Sequence, residues 1–138
     1  MLLCKGQMFA PVAHAIHKEC FDKPWTEKEF QELLALPTSC LWMDQGSLLL
    51  CSHVLDEMEI LTIGVCLNKR HQGKAQSLLS EMFDYAKQHQ VRRVFLEVSE
   101  KNVPAIHLYE KMGFQPMGRR KGYYEKGKVD ALTYQKTL

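Results

Sequence analysis

The sequence predicts a single α/β domain spanning residues 1–138, with a mixed, mostly antiparallel sheet flanked by helices. Three observations carry that prediction. The 138-residue length suits one core and no more. Apolar residues at 46% and charged residues at 25% are ordinary globular values. Helical and strand periodicities also alternate along the chain without repeats or low-complexity linkers.

From Pro11 to Phe21, Val12, Ala13, Ile16 and Cys20 recur at helical spacing. Asp22-Lys23-Pro24-Trp25 then leads to a second helix, opened by the capping-box pair Thr26 and Glu29, carrying Phe30, Leu33 and Leu34, and ending before Pro37. Ser47 to Leu55 and Glu59 to Cys66 are β-branched and aliphatic, and Asp56-Glu57 between them marks a hairpin turn. Leu78, Leu79, Met82 and Ala86 place one face of a helix from Ala75 to about His89, and Arg93 to Val98 reads as a strand. Asn102 is a suitable N-cap for a helix with Pro104 in its first turn and Gly113 at its end. Phe114 to Arg120 and Ala131 to Lys136 read as closing strands.

Composition also excludes. No window holds the eighteen or so consecutive apolar residues of a membrane helix, and Met1 to Lys5 is too short for a signal peptide, so a cytoplasmic protein is expected. Five widely spaced cysteines without a C-x-x-C pair fit reduced thiols, and the six histidines show no metal-ligand spacing, so no metal is expected. A net charge of +2 gives no global argument for nucleic acid.

The stretch Glu59 to Ala75 bears the chemistry. A strand running into a glycine turn that opens a helix presents unpaired backbone N–H groups at the positive end of a helix dipole, which suits a pyrophosphate. Gly73 and Ala75 would admit close approach, and Arg70 and Lys74 would add charge. Alone, a basic glycine turn is as often a tight loop; it is neither a Walker A sequence nor G-x-G-x-x-G, which counts against nucleoside triphosphates and dinucleotides.

Arg70-x-x-Gly73-x-Ala75 resembles the R/Q-x-x-G-x-G/A motif of the GCN5-related N-acetyltransferase (GNAT) superfamily. Phe95 to Val98, Asn102, Ala105 to Glu110, Gly113-Phe114, Arg119-Arg120 and Tyr123-Tyr124 follow in the order and spacing of the enzymes that acetylate the N-terminal alanine of a ribosomal protein. The match runs from about Glu59 to Leu138, with support from Pro24-Trp25. The resemblance implies a V-shaped splay between the strands at 59–66 and 93–98, acetyl-CoA as cosubstrate, and a protein N-terminus as acceptor. It also implies main-chain contacts from Ile63, Gly64 and Val65 to the pantetheine arm. Arg70, His71, Gln72, Gly73, Lys74, Ala75 and Gln76 would surround the pyrophosphate, with Asn102 also on the cofactor. Glu97 would be general base and Tyr109 general acid, while Trp25, Tyr123 and Tyr124 would line the peptide groove.

The roles make chemical sense. An α-amine with a pKa near about 8 is mostly protonated at neutral pH and needs a base, and a departing thiolate gains from a proton donor. Each residue also has a plainer reading: Glu97 as a solvated edge carboxylate, Tyr109 as a core aromatic beside Leu108 and Met112, Asn102 as a cap, and Trp25, Tyr123 and Tyr124 as packing aromatics. Leu67, Lys69, Lys74 and Ala75 depart from the commonest family residues, and the segment before Pro11 is short, which leaves the acceptor open. Another protein N-terminus, a lysine or a small amine remains an alternative within the same chemistry. A coenzyme A-binding module without transfer, or a domain whose basic turn meets RNA phosphates, would be a different class. No membrane or direct nucleic-acid partner is expected, and the chain is expected to be a monomer or weak dimer.

Overall fold

A computed structural model describes residues 3–138. The elements are strand β1 (Leu3–Cys4), helices α1 (Ala10–Cys20) and α2 (Glu27–Leu34), and strands β2 (Ser39–Asp44), β3 (Ser47–Val54) and β4 (Glu57–Val65). Helix α3 (Lys74–Gln88), β5 (Arg93–Ser99), α4 (Val103–Lys111), β6 (Gln115–Tyr124) and β7 (Val129–Thr137) complete the chain. The seven strands form one sheet in the order β1-β2-β3-β4-β5-β7-β6, antiparallel except for β4 against β5.

Local signals explain most boundaries. Thr26 and Glu29 form the reciprocal capping box at α2, and the Asn102 carboxamide oxygen accepts from Ala105 N–H at 3.3 Å to start α4. Helix α4 ends in a Schellman motif. Gly113 has φ 95°, its N–H donates to Glu110 C=O at 3.1 Å, and Phe114 N–H donates to Tyr109 C=O at 2.9 Å.

Strand β2 is absent from the sequence reading. Its Ser39-Cys40-Leu41-Trp42 segment is buried throughout, because Cys40 and Trp42 face α3 and α4 while Leu41 faces α1 and α2. Burial on both faces erases the alternation by which a strand is read. The β3–β4 turn lies at Leu55-Asp56, one residue earlier than expected, with Leu55 at φ 55°. Strand β6 runs on through Tyr124, past the expected end at Arg120.

The sheet separates two apolar layers. Leu49, Cys51, Leu78, Leu79, Met82, Val94 and Leu96 fill one, and Ala13, Phe30, Leu34, Leu48 and Leu50 fill the other. Among the described residues no helix is long and apolar enough to cross a membrane.

Candidate active site

Strands β4 and β5 pair over only three positions, Glu57 with Arg93, Met58 with Val94, and Glu59 with Phe95, and then part. A bulge accompanies the parting: Leu50 faces Thr62 but Cys51 faces Ile60, so Leu61 is the extra residue on β4. A bulge sharpens local twist and bends its strand, which turns the far half of β4 away from β5. Among the described residues, the edge of β4 from Leu61 to Val65 therefore has no strand partner on the β5 side. Clefts open on either side of this gap, and Phe21 at the end of α1 lines both.

The first cleft, about 390 Å³, is lined by Ile63, Gly64, Val65, Arg70, His71, Gly73, Lys74, Ala75, Gln76, Asn102 and Tyr109. Gly73 caps α3 in the left-handed region at φ 75°, with no side chain satisfying the helix end. Ser77 N–H donates to Gly73 C=O at 3.0 Å, whereas the N–H groups of Lys74, Ala75 and Gln76 precede the first helical acceptor. Among the described residues a Cβ on Gly73 would meet no atom within 4 Å, and Gly73 itself lines the cleft. Three donors at a positive helix end, beside a glycine whose missing Cβ leaves room, fit a pyrophosphate.

The polar side chains expected around this turn also have partners within the protein. Arg70 Nε donates to Val65 C=O at 2.9 Å and its terminal nitrogen to Cys20 C=O at 3.2 Å, bracing the turn against β4 and α1. Lys74 pairs with Asp44 at 2.9 Å. Gln72 is outside the cleft lining and donates to Asn68 C=O at 3.4 Å. The donors that this turn leaves toward the cleft are therefore chiefly main-chain N–H groups.

Gly64 is glycine for a steric reason. An added Cβ would sit 2.7 Å from Phe21 Cε2 and 3.0 Å from Cys20 Cβ, because α1 lies across β4 there. On the opposite wall, Tyr109 is 5% exposed, with its ring edge-on to Phe114 at 5.7 Å. Burial raises its phenol above the ordinary tyrosine range, so the hydroxyl keeps its proton.

The second cleft, about 640 Å³, is lined by Trp25, Glu97, Tyr123 and Tyr124 together with His17, Lys23, Glu59, Thr62 and Arg120. Arg120 on β6 pairs with Glu97 on β5 at 2.6 Å across the intervening β7. Register makes this possible: Arg120 is opposite Ala131 and Glu97 opposite Thr133, two residues apart on the same face of β7. The same guanidinium lies 4.2 Å from the centre of the Tyr123 ring, which meets Tyr124 edge-on at 4.9 Å. One carboxylate and two tyrosines are thus joined through Arg120.

Trp25 is a packing residue as well as a groove wall, stacked on His17 at 5.1 Å and 5.5 Å from Phe30. His17 is 2% exposed, and burial, followed by the nearby His14, lowers its pKa to about 4. The unfolded chain, with an ordinary value of 6.5, binds a proton that the fold rejects, so stability is full above that value and is lost as pH falls toward 4. Thermal or urea unfolding is expected to lose about 2 kcal/mol between about pH 7 and about pH 5. Replacing His17 with Gln should flatten that slope; an equally steep slope in the variant would place the acid sensitivity elsewhere.

Comparison with known proteins agrees with this geometry. Residues 11–114 match the family described as acetyltransferase (GNAT) family. The chain belongs to the GNAT family. It is 32% identical over 131 residues to a putative ribosomal protein bS18-alanine N-acetyltransferase of Bacillus subtilis, covering 91% of this chain and 87% of that protein. It is 30% identical over 128 residues to the ribosomal protein bS18-alanine N-acetyltransferase of Escherichia coli, covering 88% and 86%. The crystal structure of the Escherichia coli ribosomal-protein-S18-alanine N-acetyltransferase superposes with a TM-score of 0.87 at 26% identity, over 99% of this chain and 93% of that one. This GNAT protein is an N-acetyltransferase.

Several residues that shape the GNAT clefts escaped the sequence reading. Arg120 was visible only as part of a motif, because its link to Glu97 crosses a strand that comes later in the chain. Phe21, Glu59 and Thr62 read as ordinary helix and strand residues. His17 stood among six histidines without metal spacing, and nothing local reveals that it is enclosed by Phe21, Trp25 and Phe30.

Proposed function

We propose that this enzyme transfers the acetyl group of acetyl-CoA to a protein α-amine, the N-terminal alanine of a small-subunit ribosomal protein. One observation carries the reading. Two clefts of different character, one with main-chain anion donors and one with carboxylates and aromatics, adjoin at Phe21 beside the unpaired edge of β4. The names of relatives alike over most of both chains support the choice of acceptor.

Acetyl-CoA would supply a thioester carbonyl and a thiolate leaving group. Lys74, Ala75 and Gln76 N–H groups would hold its pyrophosphate, with Asn102 on the same cleft wall. The free edge of β4 at Ile63, Gly64 and Val65 would hold the pantetheine and offer an N–H to the oxygen on which charge develops. In the adjoining groove, Glu97 takes the proton of the incoming ammonium, directly or through a water. Arg120 occupies one carboxylate oxygen, Oε1, and leaves the other as acceptor. Tyr109, held protonated by burial, would donate to the departing sulfur from the cofactor side, and the second proton of the attacking nitrogen would pass to the phenolate so formed, restoring it. Trp25, Tyr123 and Tyr124 flank the acceptor chain.

Tyr109→Phe keeps the ring against Phe114 and deletes only the hydroxyl, so kcat is expected to fall about a hundredfold with little change in melting temperature. A large loss of melting temperature with unchanged kcat would assign Tyr109 to packing alone. The assay for the function itself follows thiol release from acetyl-CoA with an Ala-starting ribosomal N-terminal peptide, a lysine peptide with a blocked N-terminus, and a polyamine. Turnover with the first alone supports the proposal; turnover with either of the others alone replaces the acceptor.

A further inference from the structure

Helix α1 grips the peptide unit of Trp25 with two histidines one turn apart. Nδ1 of His14 donates to Trp25 C=O at 3.0 Å, and Trp25 N–H donates to Nδ1 of His17 at 3.1 Å. Because Nδ1 of His17 receives a hydrogen, it carries none, and the neutral ring must hold its proton on Nε2. Nε2 lies 3.1 Å from Oγ1 of Thr62 on β4, so it donates and the threonine oxygen accepts. The pair is closed off by Phe21, Trp25 and Phe30 around the imidazole.

This arrangement fixes the free end of the chain of donors. Thr62 lines the second cleft, on the same stretch of β4 that parts from β5, and its hydroxyl hydrogen has no other acceptor among the described residues. A hydroxyl whose oxygen already accepts one hydrogen bond behaves as an oriented donor. What complements a donor in that groove is a carbonyl oxygen. A peptide carries one beside its α-amine, whereas a polyamine carries none. The charged groups lining the groove are the carboxylates Glu59 and Glu97 and the cations Lys23 and Arg120, and Thr62 is a lining hydroxyl whose oxygen is already held by a hydrogen bond from His17.

We propose that Thr62 donates a hydrogen bond to a backbone carbonyl of the acceptor peptide, and that His17 is the positioning residue that aims it. The inference rests on the acceptor-groove reading given above and adds a determinant for peptide over simple amine. A neutral His17 is what the device requires, since a second ring proton would face Trp25 N–H, and its pKa lowered to about 4, by burial and then by His14 against the opposing effect of Glu29, keeps the ring in that form.

The test compares wild type with Thr62→Val, which keeps the shape and removes the donor, and Thr62→Ser, which keeps the donor. With an Ala-starting peptide, Thr62→Val is expected to raise peptide KM about tenfold while the KM for acetyl-CoA stays unchanged, and to lower the melting temperature because the buried His17 Nε2–H loses its acceptor. Thr62→Ser should restore peptide KM to near the wild-type value, and a purely structural role would show no such split. Nitrogen-15 NMR of the histidine rings supplies a second readout: His17 should show a protonated Nε2 and bare Nδ1, without titration between about pH 5 and about pH 8. Unchanged peptide KM in Thr62→Val, in an enzyme that turns over normally, overturns the inference and leaves the proposed function standing; so does a His17 protonated on Nδ1. A wild-type enzyme that transfers to no peptide at all overturns both.

Discussion

Glu97→Gln is expected to lower kcat with an Ala-starting peptide by about a thousandfold near neutral pH while leaving acetyl-CoA affinity within about twofold. The substitution is nearly isosteric, and the amide oxygen of Gln still accepts from Arg120, so the link from β5 across β7 to β6 is retained. What disappears is the capacity to take a proton. An α-amine with a pKa near about 8 is largely an ammonium at neutral pH, so the deficit should shrink as pH rises and the free amine supplies itself. Acetyl-CoA binding should be spared because Glu97 lines the groove with Trp25 and Tyr124, while the turn proposed to hold the pyrophosphate lines the other cleft. Unchanged turnover would remove Glu97 from the chemistry and direct attention to Glu59, the other carboxylate lining the groove.

The second large effect is expected at the turn before α3. Gly73→Val should weaken acetyl-CoA binding by about a hundredfold, measured by calorimetry, with a smaller effect on peptide KM. Two terms act together. A β-branched residue at φ 75° costs about 1–3 kcal/mol of backbone strain, and its side chain would fill open space beside the turn, where among the described residues a Cβ meets no atom within 4 Å. A non-branched control, Gly73→Asn, tolerates the left-handed region better and should lose less affinity. Equal affinity in wild type and Gly73→Val would move the pyrophosphate away from this turn.

Residues whose signals are local were legible in the sequence. The Thr26–Glu29 capping box, the Asn102 cap and the Gly113 stop each depend on neighbours within a few positions, and each forms as read. So does the turn that leaves Lys74 to Gln76 with unpaired donors. Strand β2 was hidden because its alternate residues are buried on both sides of the sheet. Side-chain partners were hidden for a different reason. Arg70 is committed to Val65 and Cys20, Lys74 to Asp44, and Arg120 to Glu97, and these partners lie 5, 50, 30 and 23 residues away. Basic residues beside a glycine turn read as unengaged charge, whereas the fold gives each of these a partner within the protein. The parting of β4 and β5 followed from family resemblance, but the bulge at Leu61 that accompanies it leaves no mark in a run of aliphatic residues.

The most direct test of N-terminal transfer uses one peptide that carries both a free N-terminal alanine and an internal lysine. After incubation with enzyme and acetyl-CoA, fragmentation mass spectrometry reads which nitrogen holds the acetyl group. Transfer by wild type to the alanine nitrogen alone, and its disappearance in Glu97→Gln, is the predicted result. Acetyl on the lysine nitrogen with a free alanine terminus would contradict it.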